Sequence, residues 1–379
     1  MVAMSRSLPA FGNPFVILLA LLHAYVGLRL LAPFGIAVQV AGVAVLAACF
    51  WLLPKGWGVR EGQGPWAVLL AWVAMGFFSW LLVLTLARDL SLAVSFLALP
   101  ESAHASWRWW SAAGVLATTP LITAVGFAMA RVVARVVEID VPVAGLPAAL
   151  HGFTIAQISD IHVGPTIKRR FVERIVERVN GLEADMVAIT GDLVDGPVHE
   201  LAHHTEPLGG LVSRHGTYVV TGNHEYYSGA HAWIRELRRL DARVLVNEHV
   251  VLVHDGERLV IAGVTDWSAH HFDPSHRSDP HGAIAGAPGD IVRVLLAHQP
   301  RSALAAVEAG YHLQLSGHTH GGQMWPFTWL VRLQTRFVAG LYKLGRSQLY
   351  VSLGTGYWGP PIRVLAPAEI TLLTLRSSS

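Results

Sequence analysis

The chain has 379 residues, 53% of them hydrophobic and only 14% charged, with a net charge of +2 and a single cysteine. Charge that sparse, with a mean hydropathy of +0.44, lies below the usual quarter of a soluble protein and implies a membrane half. The small net charge and the lack of a Lys/Arg-rich run argue against a nucleic-acid binder, and Cys49 alone excludes an intramolecular disulfide framework.

The apolar excess is concentrated at the front. From Pro14 to about residue 130 the charged residues are Arg29, Lys55, Arg60, Glu61, Arg88, Asp89, Glu101 and Arg108. Between them lie apolar runs at about 14–32, 34–53, 66–87 and 109–130, each near the ~20 residues that cross a bilayer. Trp51, Trp57, Trp66, Trp107, Trp109 and Trp110 cluster at their ends, as at a membrane–water interface. Four transmembrane helices are therefore expected in a region 1–135. A cleavable leader would explain the first run but not the three after it. With four spans both ends share a side, which would carry Arg6, Lys55, Arg60, Arg131 and Arg135 against Arg88, Arg108 and Arg29. The positive-inside rule then favours cytoplasmic termini.

After Arg135 short strand-like runs alternate with amphipathic helical stretches, the pattern of an α/β domain over 136–379. Strands are expected at 153–159, 186–190, 217–222, 292–298, 312–317 and 349–354. Residues 250–264 read as a hairpin turning at Asp255-Gly256, a pair suited to a type I′ turn. Helices are expected at 168–184, 230–240 and 301–310; Phe171, Ile175, Val176 and Val179 give the first a buried face.

Five polar stretches sit at the C-terminal ends of these strands: "SDIH" from Ser159, "TGDLVD" from Thr190, "TGNHEYY" from Thr221, "LAHQP" from Leu296 and "SGHTHGG" from Ser316. Loops leaving those ends are where α/β sheets build their sites. Carboxylate, imidazole and amide can each give a metal N or O, and the absence of thiolate points away from a structural zinc site. Residues two apart on an extended chain share a face, so Asp160/His162 and His318/His320 can each present two ligands. With Asp192, Asn223 and His298 they make seven candidate ligands, too many for one ion and suited to two. Paired metals clamp a phosphorus for in-line displacement, which needs one carboxylate to bridge them. His224, beside Asn223, suits general-acid work better than ligation.

The ordered set D-x-H, G-D-x-x-D, G-N-H-[DE], H, G-H-x-H resembles the calcineurin-like metallophosphoesterase superfamily, over about residues 136–376. "SDIHVG", "GNHEYY", "GHTHGGQ" and "GTGYWGPPIR" look like its bacterial membrane-associated branch, the YkuE/YaeI type. The resemblance implies a four-layer αββα sandwich and two divalent metal ions, with Mn, Fe and Zn all compatible with mixed N/O ligands. Asp160, His162 and His320 would hold the first metal, Asn223, His298 and His318 the second, and Asp192 would bridge. Metal-held hydroxide would attack phosphorus, and His224 would protonate the leaving oxygen. Glu225 stands where many members have Asp, and a hydrogen bond to His224 is one role open to it. The bacterial branch implies the inner (plasma) membrane, and the positive-inside reading puts the catalytic domain in the cytoplasm.

Other residues are open to two readings. Asp195 is either a turn carboxylate or a partner for a metal histidine, and Asp266 either a strand-end carboxylate or a substrate or support residue. His270 and His271 read as loop histidines, and no chemistry is assigned to His199, His203 or His204. Lys168, Arg169 and Arg170 suit a solvated helix start, or an acidic partner. Residues 324–346 mix Trp325, Phe327, Trp329, Leu330, Leu333, Phe337, Leu341 and Tyr342 with Arg332, Arg336, Lys343 and Arg346. That composition fits an interfacial segment meeting lipid, or a core-packing helix. The expectation is a membrane-anchored phosphohydrolase for a lipid-linked phosphodiester or pyrophosphate of the UDP-diacylglucosamine kind. A phosphatase for soluble nucleotides or phosphoproteins, and a non-catalytic membrane sensor, are the alternatives.

Overall fold

The computed structural model describes residues 13–56 and 64–378. Arg6, Trp57, Arg60 and Glu61 lie outside the described residues. The chain divides into two compact units, Met1–Ala128 with Gly359–Ile362 and Met129–Trp358 with Arg363–Ser379.

The first unit is built from α1 (Pro14–Leu31), α2 (Ile36–Gly56), α3 (Pro65–Ala98) and most of α4 (Glu101–Arg131). All four are long and apolar enough to cross a membrane. Asn13 caps α1, its Oδ1 accepting from the Phe15 N–H at 3.0 Å, and Pro14 takes the first helical position, where no N–H is needed. Val26, Leu30, Leu46, Phe78 and Ala112 pack where the helices meet. At 34 and 31 residues, α3 and α4 run past the apolar windows that marked them. The charged residues that bounded those windows are no helix breakers. Asp89 continues α3 because Arg29 meets it with two hydrogen bonds at 2.8 and 2.9 Å.

The second unit carries twelve strands among its described residues. They are β1 (Arg135–Ala144), β2 (Thr154–Ile158), β3 (Met186–Ile189), β4 (Thr217–Val219), β5 (Arg243–Val244), β6 (Glu248–His254), β7 (Glu257–Gly263), β8 (Val292–Leu296), β9 (Leu313–Ser316), β10 (Gly340–Leu344), β11 (Ser347–Val351) and β12 (Glu369–Ser378). They form two six-stranded sheets, ordered β1-β12-β2-β3-β4-β5 and β10-β11-β9-β8-β7-β6. Ile155, Met186 and Tyr218 of the first face Leu259, Val294 and Leu313 of the second in a shared apolar core. The short strands β2, β3, β8 and β9 are buried on both faces, save for the half-buried Thr154 and Arg293, because helices cover the outer sides.

Over the first sheet lie α5 (Arg169–Asn180), α6 (Val198–Thr205) and, after the five-residue α7 (Asn223–Tyr227), α8 (Ala230–Arg239). Ile175, Leu201 and Trp233 are their buried anchors. Over the second sheet lie α9 (Pro280–Ala283) and α10 (Ala303–Glu308), packed through Ala283, Ala306 and Tyr311. The result is the four-layer αββα sandwich. Its hairpin turns at Asp255 (φ 49°) and Gly256 (φ 89°), both left-handed as a type I′ turn requires.

Residues 324–346 are neither one interfacial helix nor one core helix. Phe327–Gln334 forms α11, which shows Trp329, Leu330 and Leu333 to the outside at 58, 54 and 84% exposure. The chain then enters β10, and Phe337 just before it and Tyr342 within it pack on Leu349 and Val351. The first half of the segment is thus exposed, and the second packs into the domain.

Candidate metal centre

Each polar stretch begins where a strand ends. Ser159 follows β2, Thr190 follows β3, Asn223 opens α7 after β4, His298 lies two residues beyond β8, and Gly317 follows β9. The backbone must then turn so abruptly that non-glycine residues take the left-handed region: Asp160 (φ 54°), His162 (56°), Asp192 (52°), His318 (74°) and His320 (50°). That conformation costs of order 1–3 kcal/mol at each position and persists only where the surroundings enforce it. Five of the seven candidate ligands carry it, which marks the loops as shaped for a purpose other than folding.

The side chains converge. Asp160, His162 and His320 bring ligand atoms within 4.8 Å of one another, as do Asp192, His298 and His318, and also His162, Asp192 and His224. Oδ2 of Asp192 is common ground: His298 Nε2 lies 3.1 Å from it, His162 Nε2 3.9 Å and His224 Nε2 4.0 Å. Glycine makes that closeness possible. A Cβ on Gly222 would stand 2.2 Å from Asp192 Oδ1, and one on Gly317 would stand 2.1 Å from Asp160 Oδ2.

The residues present fit a pair of cations. Asn223 Oδ1 is buried and has no hydrogen-bond partner, a costly state that a cation would relieve. Ring nitrogens of His162 and His320 face each other at 3.1 Å, and those of His298 and His318 do the same. Outer contacts fix two of the imidazoles. His298 Nδ1 donates to the Thr190 carbonyl at 2.7 Å and His162 Nδ1 to Asp195 at 2.8 Å, which leaves Nε2 of each as the ligating lone pair.

Burial alone would raise the Asp192 carboxyl, but the imidazoles of His298, His224 and His162 hold it well below the usual range. Burial likewise disfavours the imidazolium of His298, yet the Asp192 charge pushes it well above the ordinary value. His320 moves the other way. Burial, then His162 and the Arg363 guanidinium, hold it neutral, the form that ligates a metal.

A scan against family descriptions matches residues 153–322 to "Calcineurin-like phosphoesterase". An uncharacterized metallophosphoesterase of Aquifex aeolicus is 32% identical over 59% of this chain and 84% of its own length. The chain belongs to the calcineurin-like phosphoesterases. A transmembrane protein with metallophosphoesterase domain from Danio rerio is 36% identical, covering 73% of this chain and 65% of that one. An uncharacterized metallophosphoesterase of Helicobacter pylori strain J99 is 43% identical over 58% of this chain and 59% of its own. This chain thus spans somewhat under two thirds of the relatives that match it most strongly.

Around this calcineurin-like core the structure resolves the open assignments. Asp195 is a partner of histidines: its Oδ1 accepts from His162 Nδ1 and, at 2.6 Å, from His224 Nδ1. Burial would depress the His224 imidazolium, but Asp192 and Asp195 lift it to about 9. Glu225 does not bond His224. Its carboxylate accepts from the backbone N–H groups of Gly222, Asp192 and Leu193 at 2.6, 3.0 and 2.7 Å, joining two ligand loops. The rotation of about 100° from one helical residue to the next sends its side chain away from His224, and burial with the Asp192 charge raises it to about 7. Asp266 is buried and holds Gln299 Nε2 at 3.0 Å, so it braces the loop after His298.

Arg363 was not singled out from the sequence. It is fully buried, donates to the carbonyls of Leu353, Gly356 and Ala366, and sits 3.2 Å from His320 Nδ1. Its signal is the terminal Arg of "GTGYWGPPIR", a cation in an otherwise apolar, glycine-rich loop. His270 and His271 lie on the surface. Arg169 pairs with Glu173 at 2.8 Å and with Glu206, the solvated helix start.

Proposed function

We propose that this chain is a membrane-anchored, dinuclear metal-dependent phosphohydrolase. The observation that carries it is the Asp192 carboxylate, which groups with His298 and His318 and also lies 3.9 Å from His162 of the Asp160–His162–His320 group. Asp160, His162 and His320 would hold one divalent ion and Asn223, His298 and His318 the other, with Asp192 reaching both. Such a pair, Mn, Fe or Zn, supplies Lewis-acid charge at the phosphoryl oxygens and an activated water near neutral pH.

This chain's own residues do the rest. His224 keeps a proton on Nδ1 against Asp195, and its Nε2, 4.0 Å from Asp192 Oδ2, delivers a proton to the leaving oxygen. Asp195 stabilises the imidazolium that precedes transfer. Arg363 keeps His320 neutral, and Glu225 locks the Asp192 turn to the Gly222 turn.

The substrate reading is a lipid-linked phosphodiester or pyrophosphate. Aromatic rings surround the proton donor: Tyr227 lies 5.1 Å and Trp358 6.1 Å from the His224 ring, and both are more than half exposed. The exposed face of α11 stands on the same loop as His320, since Thr328 Oγ1 donates to the Gly321 carbonyl at 2.8 Å. Exposed rings and leucines suit an acyl-bearing leaving group better than a nucleoside alone. We place the bundle in a bacterial inner membrane with the sandwich in the cytoplasm, on the loop-charge argument.

The test is hydrolysis by the purified full-length protein with Mn²⁺. Bis-p-nitrophenyl phosphate and a lipid pyrophosphate should both turn over, and no turnover of any phosphoester would end the reading. Trp329→Ser with Leu333→Ser should lower lipid turnover while sparing the small diester. Equal loss on both would remove the lipid assignment and leave the metal site standing.

A further inference from the structure

The first unit carries a cluster of charge that the hydrolytic reading does not use. Asp89 of α3 accepts from Tyr25 at 2.6 Å and from both arms of Arg29 of α1. Next to it Arg88 is buried, at 5% exposure. Its guanidinium donates to the Arg29 and Arg108 carbonyls at 3.1 Å each and to Ser111 Oγ at 3.1 Å. Arg29, Arg88 and Asp89 line a polar cavity of about 440 Å³ that also takes in His104, Arg108 and Ser95. Three arginines face it, and Asp89 is the one anion in its wall. Asp89 also pairs with Arg88 at 3.4 Å, so one carboxylate is shared between two guanidinium groups with a third beside it, and positive charge is left in excess among membrane-spanning helices.

Charge in that setting is costly unless it is paired. A hydrogen-bonded arginine fork is also the side chain that best matches a phosphate. The cavity does not stand alone. A second, apolar cavity of about 760 Å³ runs between α1 and α2, walled by Ala24, Gly27, Val43, Leu46 and Phe50. Leu28 and Ala32 of α1 line both. Arg29 and Arg108 lie near helix ends, whereas Ala24, Leu46 and Phe50 lie deeper in the spans. A cationic chamber near the helix ends, sharing two wall residues with a greasy one at depth, has the polarity of a phospholipid.

We infer that the first unit holds one anionic glycerophospholipid, its phosphate in the Arg29–Arg88–Arg108 chamber and an acyl chain in the groove between α1 and α2. The inference does not rest on the hydrolytic reading, because no residue of the sandwich enters it. Charge complementarity selects the occupant: a zwitterionic lipid brings its own cation to a chamber already positive.

The full-length protein in detergent is titrated with phosphatidylglycerol, phosphatidylcholine and inorganic phosphate, and retention is read by native mass spectrometry alongside the thermal midpoint. One phosphatidylglycerol should stay bound per chain in preference to phosphatidylcholine. Arg108→Gln alters an exposed side chain and should cut that preference about fivefold, the worth of one basic residue at a membrane surface. Ala47→Phe, which fills the groove, should weaken both lipids while keeping the preference. Equal retention of the two lipids in the wild type means annular lipid only and overturns the site. So does stabilisation by inorganic phosphate equal to that by phosphatidylglycerol, which would make it a free-anion site. An Arg108→Gln variant with unchanged preference overturns it as well.

Discussion

His162 and His224 meet edge to face, 4.6 Å apart, and both donate to the same oxygen of Asp195. One is a proposed metal ligand and the other the proposed proton donor, so a single carboxylate sets both rings. Asp195→Asn should lower metal affinity by about 10–100-fold, the usual effect of losing a ligand's outer partner. It should also lower kcat at saturating metal. Titration calorimetry and kinetics at high Mn²⁺ separate the two, and a variant with unchanged kcat once loaded would confine Asp195 to holding His162.

His224→Gln should retain its metal content and lose about 10²–10⁴-fold in kcat, the range for a general acid. The loss should be smallest with p-nitrophenyl esters, whose leaving group needs no proton, and largest with alkyl phosphodiesters. A uniform loss across leaving groups would make His224 an electrostatic and not a proton-donating residue.

Metal affinity should rise with pH. The raised imidazolium of His298 keeps its proton in the metal-free protein at neutral pH, and a cation must displace that proton to bind. Acid therefore favours the metal-free form and base the loaded one. Below the raised value, affinity should climb by up to about tenfold per pH unit for one released proton. Mn²⁺ titrations between pH 5.5 and 8 in non-chelating buffer check this, and a flat profile would show His298 already neutral.

Gly222→Ala tests close approach in isolation, because Gly222 has an ordinary φ of −98°. The added methyl would overlap Asp192 Oδ1, so the two loops must separate. Overpacking of this kind costs about 1–3 kcal/mol, and metal binding should fall with it. Thermal melting with and without Mn²⁺ should show a lower midpoint and a smaller metal-induced shift than in the wild type.

Much of this was legible in the chain, because strands buried under helices must be apolar on both faces and the polar residues that interrupt them stand out. Asp160, His162 and His318 fall where β2 and β9 end, and spacing alone brought them forward. β1 and β12 escaped notice because they pair in parallel at opposite ends of the unit, Arg135 beside Glu369, a partnership that no local periodicity records. Arg363 escaped because its partners are backbone carbonyls, which carry no sequence signature. Glu225 was misdirected for a related reason: it stands next to His224 in the chain, yet helical geometry turns neighbours away from each other.

The left-handed turns at Asp160, His162, Asp192, His318 and His320 carry a consequence for how this protein can change. Glycine at any of them would relieve the backbone but delete a ligand, and at Asp160 and Asp192 it would also free the N–H groups of His318 and His224 that those carboxylates hold. Backbone strain and ligand atoms are thus carried by the same five residues, and neither can be removed without the other.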